Sequence, residues 1–222
     1  MTWSLATIAP FRSRMRVLAV VGAVCLTACG AGSRSSPAPV LGAIPPFELV
    51  DQDANGFGTD ELAGSIWIAD FIFTRCPDMC PMLSSVMARV QSKLAKDPAF
   101  EDVRLVSISV DPEHDTPALL TAYAEKYGAD PDRWTFVTGP REEIWRLSRD
   151  GFRLPVGDAP GNADAPILHS EKFVLTDRQG RIRGYYDALD QKAQLAMMRD
   201  IRLVANEPAD AAASPAAAPP GT

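Results

Sequence analysis

Residues 65–81, SIWIADFIFTRCPDMCP, hold the features that decide the fold. The segment opens with a nearly continuous apolar run over residues 65–73, which is typical of a strand buried on both faces. From residue 82 to residue 95, apolar side chains recur at helical spacing, which predicts an amphipathic helix. A strand that passes through a short turn into a helix indicates an α/β protein.

The chain on either side continues the alternation of strand and helix patterns. Further strands are predicted at residues 47–50, 103–110, 134–137, 172–176 and 181–186, and further helices at residues 116–127, 142–149 and 190–204. Asp115 is the expected N-cap of the second helix, with Pro117 in its first turn. This order predicts an α/β domain with a central mixed sheet flanked by helices, and it matches a thioredoxin-like architecture over residues 41–206.

Composition limits the classes of function. The 222 residues suit one folded domain, and a hydrophobic content of 46% is enough for a packed core. The formal net charge of −6 gives no electrostatic support for a nucleic-acid partner.

The N-terminus has the pattern of a signal peptide. Three arginines between residues 12 and 16 precede an apolar run over residues 17–28, too short to span a bilayer comfortably. The run ends in Leu-Thr-Ala-Cys29, which resembles the bacterial lipobox. We therefore expect residues 1–28 to be a lipoprotein signal peptide and Cys29 to be lipidated. The expected location is a bacterial cell envelope, where the protein is anchored to a membrane by lipid and faces the periplasm or the outside. The alternatives are an ordinary secretory signal with an incidental Cys29, and a true start at Met15.

Two segments flank the predicted domain. Residues 29–40 are rich in Gly, Ser, Ala and Pro, which predicts a flexible tether. Residues 207–222 are rich in Ala and Pro without apolar periodicity, which predicts a disordered tail.

Two thiols remain once the leader is set aside. Of the four cysteines, Cys25 would be removed with the signal and Cys29 would be acylated, which leaves Cys76 and Cys80. At a spacing of four residues both sulfurs can face one side of the first turn of a helix, where the helix dipole favours thiolate. The pair indicates redox or metal chemistry, and the alternative is two small thiols packed beneath the sheet.

His169 is the candidate third ligand. It lies just before the strand predicted at residues 172–176, and in a thioredoxin-like sheet the loop entering that strand faces the dithiol turn. The other histidine, His114, has acidic neighbours and is expected on the solvated surface. Cys76, Cys80 and His169 form a Cys₂His set that suits Cu(I) through its thiolates and Cu(II) through its imidazole. A structural zinc site would normally supply four protein ligands.

The motif FTRCPDMCP at residues 73–81, the segment SISVDP at residues 107–112 and the pair His169-Ser170 together resemble the Sco/SenC family. The resemblance covers about residues 43–203. The chain departs from the family pattern at Ile72, where the family often has Gly, and at Leu168 beside the candidate ligand.

This resemblance implies a copper-binding factor for cytochrome c oxidase assembly. Such a protein delivers copper to the dinuclear CuA site of oxidase subunit II, and reduction of the cysteines of that subunit is a second activity. Its other partners would be an upstream copper donor and a thiol reductant. Asp78 and Arg75 are candidates for tuning the site or guiding docking, with plain solvent exposure as the alternative.

Other functions use the same two thiols. A metal-independent thiol–disulfide oxidoreductase needs Cys76 and Cys80 but has little need of His169. A peroxidase requires neither a second cysteine four residues away nor this histidine. The pattern therefore favours a metallochaperone over an enzyme with turnover.

The lipobox makes a direct prediction for anchoring. A Cys29→Ser variant loses the thiol that accepts the acyl chain, so we expect it to leave the membrane fraction or to remain unprocessed. Membrane fractionation and mass spectrometry of the mature N-terminus measure this. Normal acylation and retention of the variant would refute the lipobox assignment.

Overall fold

The structure is a computed structural model, and it describes residues 38–161 and 166–208. The predicted signal peptide, Cys29, most of the predicted tether and most of the predicted tail lie outside these residues. Among the helices in the described ranges, none is both long and apolar enough to cross a membrane.

The described residues form one eight-stranded sheet, one two-stranded ribbon and four α-helices. The strands of the sheet, in spatial order, are β1 (Gly42–Ala43), β10 (Arg181–Asp187), β9 (Lys172–Thr176), β4 (Ile66–Ile72), β5 (Val103–Ser109), β6 (Trp134–Thr138), β2 (Glu48–Asp51) and β3 (Gly56–Gly58). The ribbon pairs β7 (Val156–Asp158) with β8 (Ile167–His169). The helices are α1 (Met79–Leu94), α2 (Pro117–Tyr127), α3 (Arg141–Arg146) and α4 (Gln191–Ala205).

The centre of the sheet is parallel and its flanks are antiparallel. Strands β4, β5 and β6 run in the same direction, while β9 pairs with β4 in the opposite direction. Every residue of β4 is buried, as the unbroken apolar run predicts for a strand covered on both faces. The expected central mixed sheet flanked by helices is confirmed.

Aromatic side chains cover one face of β4. Trp67 and Phe71 each meet the ring of Phe152 edge to face, at centroid distances of 5.8 and 5.2 Å. Phe152 follows a π-helical turn, Leu147–Gly151, that extends α3. The helix predicted at residues 142–149 therefore changes its hydrogen-bonding pattern after Arg146, and this change brings Phe152 onto the sheet.

The opposite face lies beneath α1 and α2. Tyr123 of α2 packs edge to face on Phe136 of β6, with the ring centroids 6.0 Å apart. Its hydroxyl is 2.9 Å from the hydroxyl of Ser84 on α1. The two helices that follow β4 and β5 thus share one side of the sheet, which places the start of α1 directly after the carboxyl end of β4.

The starts of α1 and α2 correct the sequence prediction in ways that bear on the site. Helix α1 begins at Met79, three residues before the predicted start, so Cys80 lies inside its first turn. The N-cap of α2 is Thr116, whose hydroxyl accepts from the Leu119 N–H at 3.4 Å. The prediction of Asp115 as the cap is wrong because its carboxylate is occupied by Thr74 and Ser109.

A buried arginine joins the two ends of the described chain. The guanidinium of Arg183 is 3% exposed and bonds Asp177 at 2.9 Å and Glu207 at 2.5 Å. It also donates to the carbonyl oxygens of Ala38 at 2.5 Å and Pro39 at 3.3 Å. These contacts fix the segment that precedes β1 and the segment that follows α4 against β10.

The burial of this cluster predicts a large stability effect. Arg183→Met leaves Glu207 and the Ala38 carbonyl without their donor, and removing one member of a buried ion pair costs about 3–5 kcal/mol. Urea unfolding of the purified protein measures the loss. Arg199→Met is the matched control, since Arg199 is 67% exposed and, among the described residues, pairs only with Asp200, and it should leave the midpoint unchanged. Equal midpoints for both variants would contradict the assigned role.

Candidate metal centre

The dithiol lies where β4 ends and α1 begins. After Ile72 the chain turns so that the Cys76 N–H donates to the Phe73 carbonyl at 3.3 Å. The Cys80 N–H then points to the Cys76 sulfur at 3.4 Å, and the Phe73 N–H points to the Cys80 sulfur at 3.5 Å. Both cysteines are free thiols and both are buried, at 7% and 0% exposure.

His169 reaches this turn from the end of β8. The sequence placed it in a loop, but β8 pairs with β7 and sets Val156 opposite His169. Its Nε2 atom lies 3.3 Å from the Cys80 sulfur, and its ring meets the Phe73 ring edge to face at 5.5 Å. The Nδ1 atom lies 3.0 Å from the Ser170 carbonyl. Since a carbonyl only accepts, Nδ1 carries the proton and Nε2 presents its lone pair to the thiols.

The structure therefore brings the three predicted site residues together. The Cys76 and Cys80 sulfurs and one ring nitrogen of His169 all lie within 4.8 Å of one another. Two sulfurs and one neutral imidazole are a donor set for a soft or borderline metal ion. The same two sulfurs are close enough for thiol–disulfide exchange.

The two thiols have pKa values shifted in opposite directions. A hydrogen bond from Cys80 lowers the pKa of Cys76 to about 3, against the opposing effect of burial. The hydrogen bond to Cys76 and burial raise the pKa of Cys80. At neutral pH the reduced pair thus holds one proton, with Cys76 as the thiolate and Cys80 as the thiol.

A buried carboxylate fixes the start of the turn. Asp115 is fully buried and accepts from the Thr74 N–H at 3.0 Å, the Thr74 hydroxyl at 2.5 Å and the Ser109 hydroxyl at 2.6 Å. His114 lies outside the Cys₂His set; its Nδ1 is 2.9 Å from the same carboxylate, and its side chain is 42% exposed. The sequence prediction missed this role of Asp115.

The residues between and beside the thiols differ in their contacts. Arg75, which is exposed, bonds Asp111 through its Nε at 2.6 Å. Asp78 is exposed and its side chain does not cap α1.

A second group of residues places potential metal-ligand atoms within 4.8 Å of one another, namely Asp111, His114 and Asp115. We assign no metal to them, because Arg75 occupies Asp111 and the donors from Thr74 and Ser109 occupy Asp115.

A second buried carboxylate lies within β4 itself. Asp70 is 1% exposed and accepts from the Ser107 hydroxyl at 2.6 Å through Oδ1. Ser107 in turn accepts from the Trp134 indole N–H at 2.9 Å. Burial raises the pKa of Asp70 to about 7, against the lowering effect of the Ser107 hydrogen bond. A charged residue in the middle of an apolar run was the sequence signal for this site, and the motif analysis did not use it.

The unlike thiols predict selective alkylation. In the reduced protein, iodoacetamide should modify Cys76 far faster than Cys80, because only a thiolate reacts and Cys80 is fully buried. With a pKa of about 3, Cys76 should react at a nearly constant rate across the neutral range. An ordinary thiol slows about tenfold per pH unit below its pKa of about 8.5. Peptide mapping by mass spectrometry measures both rates.

The control for this experiment is Cys76→Ser, in which Cys80 should stay slow. Faster labelling of Cys80 than of Cys76 in the unaltered protein would contradict the assignment of the thiolate.

Comparison with known proteins gives consistent matches over the whole described domain. Residues 37–205 match the SCO1/SenC family model. The SCO1 protein homolog of Bacillus subtilis is 30% identical over 182 residues, which covers 82% of this chain and 92% of that protein. Among solved structures, a SCO1/SenC family lipoprotein of Bacillus anthracis is 32% identical with a TM-score of 0.71, over 77% of this chain and 99% of the other.

Copper has been seen in a solved structure of the same kind. The copper-bound ScoI of Bradyrhizobium japonicum is 28% identical with a TM-score of 0.60, over 71% of this chain and 98% of the other. These structures confirm the thioredoxin-like fold class predicted from the sequence. With the fold, the length and the matched range in agreement, the chain belongs to the SCO1/SenC family.

Proposed function

We propose that this protein binds copper through Cys76, Cys80 and His169 and delivers it to the dinuclear CuA site of cytochrome c oxidase subunit II. The observation that carries the proposal is the convergence of two sulfurs and the Nε2 lone pair of His169 at one end of the sheet. Copper is here a cargo, taken from an upstream donor and passed to the oxidase.

The donor set favours copper over other common metal ions. Thiolates are soft ligands that suit Cu(I), and an imidazole nitrogen lets the same site accept Cu(II). The low pKa of Cys76 means that one ligand is already deprotonated at neutral pH, which reduces the number of protons that metal binding must release. The copper-bound relatives support the same metal.

The structure of the site also fits the delivery of cargo. Three protein ligands leave a position open for an incoming donor or acceptor group, as four protein ligands would not. Cys76 is 7% exposed while Cys80 is fully covered, so Cys76 is the sulfur that a partner meets first. One solved relative, BsSco, is named as a member of the Sco family of cytochrome c oxidase assembly proteins, which supports the oxidase as the client.

Reduction of a partner disulfide is the second activity that the dithiol supports. A thiolate at Cys76 is the attacking sulfur and Cys80 is the resolving one. If this were the only activity, the protein would be a metal-independent thiol–disulfide oxidoreductase of the cell envelope. The orientation of His169 favours copper binding, because its Nε2 faces the thiols while its Nδ1 is held by Ser170.

The cellular placement in this proposal is a bacterial envelope, with lipid on Cys29 as the membrane anchor. The name of the Bacillus anthracis relative as a lipoprotein supports it.

The proposal predicts a change in copper selectivity on removal of the imidazole. His169→Ala should largely lose Cu(II), because Cu(II) prefers a nitrogen ligand, and should lose less of its affinity for Cu(I), which two thiolates can hold. Copper titration of the reduced protein, followed by thiolate-to-Cu(II) charge-transfer absorbance, measures the first effect. Competition with a Cu(I) chelator measures the second.

His114→Ala is the matched control, since His114 is the other histidine of the chain and lies outside the Cys₂His set. It should bind both ions as the unaltered protein does. Oxidation to the Cys76–Cys80 disulfide should abolish copper uptake, because it removes both thiolates. Unchanged Cu(II) affinity and spectrum in His169→Ala would overturn the ligand set, and normal oxidase maturation in that variant would favour the metal-independent reductase.

A further inference from the structure

We infer that Arg141 is a positioning residue of the copper site, which holds the ribbon of β7 and β8 so that His169 faces the two thiols. The inference deepens the proposed function, because it rests on copper binding through the Cys₂His set. The contacts of Arg141 are with Glu113, Asp158 and Trp145, so its effect on the site is exerted through the ribbon.

The guanidinium of Arg141 joins three segments of the chain. It bonds the carboxylate of Asp158 on β7, and its Nη1 lies 3.4 Å from the carboxylate of Glu113. It also lies over the ring of Trp145 on α3, with Cζ 4.1 Å from the ring centroid. An isolated surface ion pair contributes little, but a planar guanidinium can bond two carboxylates and stack on a ring at once. Together these contacts attach the end of the ribbon to the body of the protein.

The ribbon carries the ion pair and the imidazole on the same face. Residues opposite each other in an antiparallel pair point to the same side, and so do residues two apart on one strand. The register pairs Val156 with His169 and Asp158 with Ile167, so these four side chains share one face. Val156 and Ile167 are buried on it. The contact at Asp158 therefore acts on the face from which His169 reaches the thiols.

The loop between β5 and α2, residues 110–116, is attached to both halves of the site. Its Asp111 and Asp115 carboxylates hold the two residues that precede Cys76, through the contacts described above. Glu113 of the same loop accepts from the guanidinium that bonds the ribbon. One short loop thus sets the place of the thiols on one side and, through that guanidinium, the place of the ribbon on the other.

The ring beneath Arg141 is fixed to the end of the central strand. The indole N–H of Trp145 donates to the Val110 carbonyl at 3.1 Å. The Val110 N–H in turn donates at 2.8 Å to the carbonyl of Ile72, the last residue of β4. Since the dithiol turn begins directly after Ile72, Arg141 positions the ribbon relative to the same strand end that positions the thiols.

A ribbon of this size depends on such contacts for its orientation. Each of its strands has three residues, and a two-stranded hairpin is at best marginally stable by itself in water. When the ribbon is displaced, the imidazole of His169 no longer faces the sulfurs. The apparent affinity of a ligand falls with the fraction of protein in the competent arrangement. Cu(II) depends on this arrangement because it prefers a nitrogen ligand, whereas two thiolates can hold Cu(I).

The test replaces Arg141 by methionine, which keeps an apolar stem near Trp145 and removes the donors. Cu(II) affinity, measured by competition with a Cu(II) chelator, should fall about 3- to 10-fold. Pulsed EPR, which detects the nitrogen of a bound imidazole, should show a smaller fraction of nitrogen-coordinated Cu(II). Cu(I) affinity should change by less than about twofold. Loss of a positive charge by itself strengthens binding of a cation, so weaker Cu(II) binding would identify a loss of position.

A second measurement needs no metal. Hydrogen exchange of the reduced protein, followed by mass spectrometry, should be faster for the amides of β7 and β8 in Arg141→Met and unchanged for those of β4 and β5. A general loss of stability would instead raise exchange in the central strands as well.

Two further variants serve as controls. Arg146→Met removes the same charge from the same helix, but Arg146 is 50% exposed and pairs with Glu143 of α3 at 4.0 Å. It should match the unaltered protein in Cu(II) affinity and in exchange of the ribbon. Asp158→Asn should weaken Cu(II) binding, and adding Arg141→Met to it should cause no further loss, because both changes remove the same contact.

The outcomes distinguish this inference from the function on which it rests. Unchanged Cu(II) affinity in Arg141→Met would overturn the positioning role, whether or not the ribbon exchanges faster. Equal losses of Cu(I) and Cu(II) affinity would also overturn it, since they would indicate general damage to the fold. Absence of nitrogen coordination of Cu(II) in the unaltered protein would instead overturn the Cys₂His set and the proposed function with it.

Discussion

The carboxylate of Asp115 is the contact on which the geometry of the site depends. It is fully buried beyond the end of β5, and it holds the backbone and the hydroxyl of Thr74 at the end of β4. Parallel pairing of β4 with β5 sets Ile72 beside Ser109, and the Ser109 hydroxyl donates to the same carboxylate. Without this acceptor, the Thr74 N–H would be partly buried with no partner, a cost of about 1–3 kcal/mol. The strand pair and the carboxylate together fix where the dithiol turn starts.

From that fixed point the helix determines the chemistry of the thiols. Because α1 begins at Met79, Cys80 lies in its first turn with its N–H pointing at the Cys76 sulfur. The free N–H groups at a helix start stabilise negative charge, and Cys76 is the sulfur that receives it. His169 closes the third side from a separate ribbon, and its Ser170 contact directs Nε2 inward. One protein segment therefore supplies the thiolate and another supplies the imidazole.

The sequence was sufficient for the central strands, the helices that follow them and the two thiols, because each rests on local spacing. His169 lies 89 residues from Cys80 and was placed through the expected thioredoxin-like sheet instead. Strand β4 is apolar throughout, and the thiols follow it at once. The ribbon of β7 and β8 was missed because each strand has three residues, too few for a periodic pattern. Asp115 was wrongly predicted to be the N-cap of α2 because capping is a local sequence pattern. Its hydrogen-bond partner Thr74 is 41 residues away in the sequence, where no local pattern could reveal it. The raised pKa of Asp70 depends on its burial inside the sheet, which spacing does not reveal.

The two activities proposed for the site make opposite demands on Cys80. Copper binding needs both sulfurs as thiolates at the same time, whereas disulfide exchange needs Cys80 to remain protonated until Cys76 has reacted. The raised pKa of Cys80 suits the second demand and opposes the first, so a metal ion must displace a proton that the site holds firmly. Copper can do so because a thiolate bond to a soft ion is strong. The same reduced protein can then take either course, according to whether an ion or a disulfide reaches Cys76 first.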